Sequence, residues 1–193
     1  CRFANLWRTT GDFWDDWNDL YQAFEICHQW EGVGGPGHWP DADMLPFGHL
    51  ALRSTERGWG DRWTHFTQDE QIALMTLWCL FRSPLMVGAE LNDNDEFTLN
   101  LLTNDEVLAL LSESRNARQV YREERYNYAG EVIVWQAENE QGETYCAVFN
   151  CGPKARKLAV QLSSALRLEG AYIGRDLWVH EEIPVGRALE VEV

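Results

Sequence analysis

Residues 67–91 read TQDEQIALMTLWCLFRSPLMVGAEL, and this stretch decides the fold class. Thr67 and Glu70 have the spacing of a capping box, which predicts that a helix begins here. The apolar helix should end at Ser83-Pro84, because proline cannot continue a helix. Residues 84–91 (PLMVGAEL) then form an unbroken apolar run, which is typical of a strand buried on both faces of a parallel sheet. A helix that leads directly into a buried strand indicates an α/β fold.

The sequence upstream of this stretch repeats the alternation of strand and helix. Residues 3–12 (FANLWRTTGD) predict a strand, and apolar residues at three- and four-residue spacing predict a helix over residues 13–27. A glycine-rich loop separates this helix from a short strand-like segment at 38–45 (HWPDADML). Downstream, Thr103 and Glu106 resemble a second capping box. The alternation implies right-handed βα units, in either a doubly wound sheet or a (β/α) barrel.

From about Arg118 the hydrophobic period changes to two. Segments such as residues 132–136 and 145–150 alternate between apolar and polar positions, and turn signals such as Gln141-Gly142 separate them. This pattern predicts a small antiparallel β-domain, most simply a sandwich. We therefore predict two domains, residues 1–115 with α/β structure and residues 116–193 with all-β structure.

Composition excludes several classes of partner. The net charge of −15 argues against nucleic acid, because binding phosphates requires a basic patch. No apolar run approaches the roughly 20 residues that a membrane-spanning helix needs, so we expect no membrane partner. The five cysteines show no metal-binding spacing and no disulfide framework. Their scattered placement favours a reducing compartment, although a secreted location stays open.

Four residues before the first predicted helix suggest a functional face. Leu6, Arg8, Thr10 and Asp12 would share one side of an extended strand, because side chains alternate. Polar side chains on one face of a strand, with an aspartate where the strand ends, are typical of the mouth of a barrel, where catalytic residues lie. Asp12 is also suited to cap the helix that follows. Spacing alone leaves both interpretations open.

A second candidate group lies on the next strand-like segment. Trp39, Asp41 and Asp43 share a face if the segment is extended. Two acids at this spacing could ligate a metal, bind sugar hydroxyls or close a turn. No histidine or third acid stands at a convincing spacing, so we do not expect a metal site. The chain's ten tryptophans fit either a packed core or the stacking of sugar faces on aromatic rings.

Several strings of residues resemble a known family. They are WRTTGD at 7–12 followed by WDDW at 14–17, GPGHWPDADML at 35–45, RSPLM at 82–86 and LLTNDEV at 101–107. In order and separation they are similar to the family of α-galactosidases and α-N-acetylgalactosaminidases, glycoside hydrolase family 27. The resemblance covers roughly residues 3–110, and the β-domain matches only in kind.

The resemblance implies a fold and a reaction. Members fold as a (β/α)8 barrel followed by an antiparallel β-domain, so residues 1–115 would be about the last three βα units of a TIM barrel. About five units, the N-terminal barrel half, would be missing from this chain. Members are retaining glycosidases that use two carboxylates, and such a reaction needs no cofactor. The resemblance places the nucleophile of the family on the fourth strand, which is expected to lie outside this chain.

The resemblance also implies roles for individual residues. Asp12 would be the general acid/base at the end of the sixth strand, and Arg8 on the same face would contact the sugar or the catalytic carboxylates. Asp43 and Met44 would line the sugar pocket after the seventh strand. Trp39 and Asp41 are further candidates for substrate binding.

One departure from the family pattern bears on what these residues bind. The family often has Trp-Asn-Asp-Pro-Asp-Met where this chain has WPDADM at residues 39–44, so the acids keep their places but the asparagine and proline do not. An insert at 53–66, with Trp59 and Trp63, is expected beside the pocket mouth.

The implied function is hydrolysis of terminal α-D-galactosides by a parent protein, with this fragment inactive alone. Related specificities stay open, namely α-N-acetylgalactosaminidase and β-L-arabinopyranosidase. A non-catalytic carbohydrate-binding or structural module, or a split enzyme, is the alternative of another class.

Overall fold

The computed structural model describes residues 3–54, 60–123, 131–170 and 172–193. Contacts within the chain divide it into two compact units, Cys1–Ser112 and Glu113–Val193. Trp59 lies outside the described ranges, as does Cys1, one of the five cysteines. No helix in those ranges is long and apolar enough to cross a membrane.

The first unit alternates short strands with helices. Its elements in chain order are β1 (Leu6–Arg8), α1 (Trp17–Gln29), β2 (Trp39–Asp41), β3 (His49–Leu50), β4 (Arg62–Trp63), α2 (Gln68–Phe81), a 3₁₀ helix (Leu91–Asp93), α3 (Glu96–Thr103), α4 (Asp105–Leu108) and α5 (Leu110–Glu113).

Parallel pairing connects the strands of this unit. β1 pairs with β2 in parallel, with Leu6 opposite Trp39 and Arg8 opposite Asp41. Further along, Leu45 forms a parallel bridge to Val87. The Leu45 N–H donates to the Met86 carbonyl (2.8 Å), and the Gly88 N–H donates to the Leu45 carbonyl (2.9 Å). The carboxyl ends of parallel neighbours lie at the same edge, so the loops after β1 and β2 meet there. This edge positions the candidate site.

The first helix begins later than the sequence predicts. Asp16 is the N-cap of α1, and its side chain accepts a hydrogen bond of 2.8 Å from the Asn18 N–H. The interpretation of Asp12 as the cap is therefore wrong. The reason is tertiary: the Phe13 N–H donates to the Asp43 carboxylate, which keeps this segment out of the helix.

The second helix begins as predicted. Thr67 and Glu70 form a reciprocal capping box, and α2 ends at Phe81, because its C-cap Arg82 adopts a left-handed backbone (φ 63°). Leu74, Leu77 and neighbouring apolar side chains of α2 are fully buried. The helix therefore supplies much of the apolar core of this unit.

Two local predictions downstream of α2 are wrong. Residues 84–91 do not form a continuous strand, because the only bridge among them is the one at Val87 and the backbone then turns into the 3₁₀ helix. The cap of α4 is Asn104, which accepts a hydrogen bond from the Val107 N–H, and not Thr103. Thr103 instead closes α3, where its hydroxyl donates to the Leu99 carbonyl.

The second unit is antiparallel. Its elements are β5 (Arg115–Arg122), β6 (Val132–Glu138), β7 (Thr144–Asn150), β8 (Lys157–Gln161), a π-helical turn (Leu162–Leu166), β9 (Tyr172–Asp176), β10 (Glu181–Val185) and β11 (Ala188–Glu192). β6 lies between β5 and β7, β8 pairs with β11, and β9 pairs with β10.

Aliphatic side chains form the core of this unit. Val132 and Val134 of β6 pack in one buried cluster with Val160, Leu162 and Leu166. Two tryptophans of this unit differ in burial: Trp135 is fully buried, whereas Trp178 is only half-buried.

Candidate active site

The site is built where β1 and β2 end. The register places Arg8 opposite Asp41 at the last pair of the two strands. The Thr9 N–H extends the pairing by one hydrogen bond of 2.9 Å to the Asp41 carbonyl. Beyond this point the two chains separate into loops that carry Asp12 and Asp43. The strand stops at Arg8, so Asp12 returns to Arg8 through a turn and not through the strand alternation that the sequence predicted.

Arg8 joins the two loops. Its Nη2 atom lies 3.0 Å from the Asp43 carboxylate and 3.6 Å from the Asp12 carboxylate. The same nitrogen donates to the Gly11 carbonyl at the turn that presents Asp12. A guanidinium offers several N–H donors in a rigid plane, which suits it to hold two carboxylates in fixed positions. Two carboxylates and one cation therefore meet at the carboxyl edge of the paired strands.

Asp43 organises the backbone of the site. Its carboxylate accepts a hydrogen bond of 2.7 Å from the Phe13 N–H in addition to its contact with Arg8. Its backbone has a positive φ of 83°, which is costly for a residue with a side chain. Two hydrogen bonds hold it there: its N–H donates to the Asp41 carboxylate (2.8 Å), and its carbonyl accepts from Trp78 Nε1 (2.9 Å).

The two carboxylates beside Arg8 differ in exposure. The side chain of Asp12 is 88% exposed, whereas that of Asp43 is 16% exposed. An exposed carboxylate can exchange protons with water or with a bound substrate, while a buried carboxylate that accepts an N–H and contacts a guanidinium is committed to its partners. The structure thus separates an exposed carboxylate from one that is mostly buried and engaged by its partners.

The other predicted residues surround this group. Asp41 is 3% exposed, behind Asp43. Trp39 is half-buried, and the Arg82 guanidinium lies 4.7 Å from its ring centroid. Met44 is half-buried and packs against Gly88, where its sulfur occupies the space that a Cβ would need. The structure therefore brings Arg8, Asp12 and Asp43 together, and Asp41 binds the Asp43 N–H. No contact links Trp39 or Met44 directly to this group among the contacts described above.

Sequence reasoning missed one buried ion pair beside the site. Arg62 Nη2 lies 2.7 Å from Asp15 Oδ1, and the His65 N–H donates to Asp15 Oδ2 at 2.7 Å. Burial raises the pKa of Asp15, but the hydrogen bonds and charge of Arg62 and the His65 N–H outweigh it and hold that pKa below its ordinary value. Nothing in the local sequence pairs Asp15 with a residue 47 positions away.

We expect Asp15→Asn to destabilise the fold by about 3 kcal/mol at neutral pH, because it leaves Arg62 with a neutral partner in a mostly buried place. The stabilisation by Asp15 is present above the pKa of the unfolded carboxyl, about 4, and is lost as pH falls through its lower folded value. Urea unfolding of both proteins at a series of pH values measures this difference, which should shrink at acid pH. Glu25→Gln, an exposed change on α1, is the matched control, and an equal effect of the two substitutions would contradict the prediction.

No cluster of three or more histidine, cysteine or acidic side chains in the described ranges is placed to hold a metal ion.

Comparison with known proteins identifies the family. A family model described as "Alpha galactosidase A" matches residues 1–113. This chain belongs to the alpha-galactosidase A family. A second model, for the alpha-galactosidase C-terminal β-sandwich domain, matches residues 129–193.

Individual members of the alpha-galactosidase A family are similar to this chain over most of its length. An α-galactosidase of Oryza sativa subsp. japonica is 28% identical over 189 residues, which cover 93% of this chain and 39% of that protein. Alpha-galactosidase 2 of Arabidopsis thaliana is 26% identical over 180 residues and is matched over 40% of its length. The crystal structure of a family 27 β-L-arabinopyranosidase from Geobacillus stearothermophilus is 47% identical, with a TM-score of 0.90 over 98% of this chain and 42% of that one.

These matches confirm the predicted fold class. The first unit is the C-terminal portion of a (β/α)8 barrel, whose described residues form no closed barrel, and an antiparallel β-sandwich follows it. The chain spans about two fifths of the length of these family members, 39% of the rice protein for example. In such barrels catalytic residues lie at the carboxyl ends of the strands, which is the edge where Arg8, Asp12 and Asp43 meet.

Proposed function

We propose that this chain is the acid/base-bearing part of a retaining exo-glycosidase that removes terminal α-D-galactosyl residues. One observation carries the proposal: an exposed carboxylate, Asp12, contacts a guanidinium that is itself fixed by a buried carboxylate, Asp43, at the carboxyl edge of two barrel strands. We further propose that residues 1–115 belong to the catalytic barrel and residues 116–193 to a supporting β-domain.

The reaction assigns Asp12 two successive tasks. As an acid it protonates the glycosidic oxygen while a second carboxylate attacks the anomeric carbon and expels the leaving group. As a carboxylate it then takes a proton from the water that hydrolyses the glycosyl-enzyme. A retaining enzyme holds its two carboxyl groups about 5 Å apart. We propose that the second carboxylate lies on a strand outside this chain.

The neighbouring residues position the acid and the sugar. Arg8, held by Asp43, keeps the turn at Gly11 in place and has further N–H donors for sugar hydroxyls. Asp41 is buried and binds the Asp43 N–H, so we propose that it orients Asp43 and does not touch the sugar. Met44 and Trp39, both half-buried, are proposed as the apolar side of the sugar pocket.

A second specificity is favoured by one comparison. The bacterial protein that is 47% identical is described as a β-L-arabinopyranosidase, and a variant of it was solved in complex with arabinose. A β-L-arabinopyranosyl ring has the hydroxyl configuration of an α-D-galactosyl ring and lacks only the hydroxymethyl group. The same acid/base chemistry serves both, so residues around that group would decide between them. α-N-Acetylgalactosaminides, with an acetamido group at C2, are the third substrate to compare.

The test uses the protein encoded by the complete reading frame that contains this chain. We expect it to hydrolyse p-nitrophenyl α-D-galactopyranoside or p-nitrophenyl β-L-arabinopyranoside, measured as kcat/KM alongside the α-N-acetylgalactosaminide. The ratio of the rates identifies the sugar. No hydrolysis of any of the three would overturn the proposal and favour a non-catalytic carbohydrate-binding module.

The isolated 193-residue chain provides a separate prediction. It should show no turnover of these glycosides, because one of the two carboxylates is proposed to lie elsewhere. A sensitive fluorogenic aryl glycoside, assayed at high protein concentration, measures this directly. Hydrolysis by the purified chain that disappears in Asp12→Ala would place both carboxylates within residues 1–193 and contradict the prediction.

A further inference from the structure

A small hairpin stands beside the candidate acid. β3 and β4 form an antiparallel pair in the connection between β2 and α2, with His49 opposite Trp63. A loop that follows a barrel strand lies at the carboxyl edge, which forms the mouth of the barrel. The hairpin therefore belongs to the same face of the first unit as Asp12 and Asp43.

Several contacts fix the hairpin to the loop that carries Asp12. Arg62 of β4 forms the buried pair with Asp15, three residues beyond Asp12. The rings of Phe66 and Phe13 lie 6.2 Å apart, centroid to centroid. Because Phe13 directly follows Asp12, these contacts join the hairpin to the segment that carries the candidate acid.

Trp63 is an aromatic ring with a support on one face. The His49 imidazole stacks on it, with 5.2 Å between centroids and 11° between planes. Asp61 and Asp93 bind the two nitrogens of that imidazole, so His49 cannot rotate away. The pKa of His49 is raised, first by the hydrogen bond to Asp61 and then by that to Asp93, which favours the imidazolium and a cation–π contact with the indole.

The surface around Trp63 has the chemistry of a sugar subsite. Trp63 is 47% exposed, so part of its indole ring is available for a ligand to stack on. The flanking side chains of Asp61 and Asp93 are 62% and 59% exposed, so each offers oxygen atoms to hydroxyl groups. An anionic ligand is disfavoured by these carboxylates, whereas a neutral polyhydroxylated ring fits both the aromatic face and the acceptors.

We propose that Trp63 is the platform for the sugar on the leaving-group side of the scissile bond. The inference rests on the proposed function and extends it: the natural substrate is an oligosaccharide, and its penultimate sugar stacks on Trp63. Asp61 and Asp93 hold the supporting imidazole and accept hydrogen bonds from that sugar. Glycosides with a small alkyl leaving group do not use this subsite.

The test compares two substrates that share the terminal sugar. In the full-length protein, Trp63→Ala should lower kcat/KM about tenfold for a disaccharide and less than twofold for the methyl glycoside. Trp63→Phe, the matched control, keeps a ring and should retain most of the disaccharide activity. Melting temperatures of all three proteins show whether the substitutions disturb the fold.

The inference and the function are overturned by separate outcomes. An unchanged ratio of disaccharide to methyl glycoside activity in Trp63→Ala overturns the subsite. If both activities also fall equally and the melting temperature is lower, Trp63 acts only in packing. A wild-type protein that hydrolyses neither substrate refutes the proposed function. Binding of the disaccharide is then measured by tryptophan fluorescence. If the disaccharide quenches the wild-type fluorescence and Trp63→Ala abolishes the quenching, the subsite is supported; equal quenching in both proteins overturns it.

Discussion

Replacing Asp12 by glycine in the full-length protein is expected to lower kcat/KM for a disaccharide by roughly 10²- to 10⁴-fold. The variant loses the group that protonates the leaving oxygen and later activates water. The fold should tolerate the change, because the side chain is 88% exposed and its ion pair with Arg8 is long, at 3.6 Å. Steady-state kinetics and a melting curve together separate a chemical loss from unfolding.

The choice of substrate sharpens this prediction. A dinitrophenyl glycoside has a leaving group that departs without protonation, so its first step should be nearly unaffected in Asp12→Gly, and a burst of phenolate should precede slow turnover. Asp16→Ser is the matched control, since serine can cap α1 as aspartate does and the position lies in the same exposed loop. Wild-type disaccharide kinetics in Asp12→Gly would exclude it as the acid.

The second large effect is expected at Asp43. Asp43→Ala removes the partner of both Arg8 and the Phe13 N–H and leaves an alanine at a positive φ. We expect a loss of about 10²-fold in kcat/KM, because a displacement of 1 Å in a catalytic group can cost that much, and a destabilisation of about 2 kcal/mol.

Asp43→Asn separates the two contributions. Asparagine tolerates the left-handed backbone and keeps an oxygen for the Phe13 N–H, but it has no charge for Arg8. We expect near wild-type stability with about a tenfold loss of kcat/KM, measured by urea unfolding and kinetics on the same preparation. Wild-type activity in Asp43→Ala would show that Arg8 and the Asp12 turn do not depend on it.

Local chemistry in the sequence was sufficient for some elements and not for others. The capping box of Thr67 and Glu70 is formed by residues three apart, so it could be read directly and is confirmed. The start of α1 could not be predicted from local sequence, because the carboxylate of Asp43, 30 residues away, binds the Phe13 N–H and the helix is capped only at Asp16. The run at 84–91 has the composition of a buried strand, yet pairing with Leu45 reaches it at only one position.

The same distinction applies to the site. Arg8, Asp12 and Asp43 were expected together because the resemblance placed them on adjacent strands, and their roles stay predictions. His49 bridges Asp61 and Asp93, which lie 12 and 44 residues away, and no local pattern indicates either contact. Long-range pairs of this kind leave no periodic signal, so they emerge only when the chain is folded.

The measurement that tests the role of Asp12 most directly is the configuration of the product formed by Asp12→Gly in sodium azide. If Asp12 is the acid/base, azide attacks the glycosyl-enzyme from the face that water normally uses, and NMR should show a glycosyl azide with the anomeric configuration of the substrate. A glycosyl azide of inverted configuration would mean that Asp12 is the nucleophile, and would contradict the assignment made here.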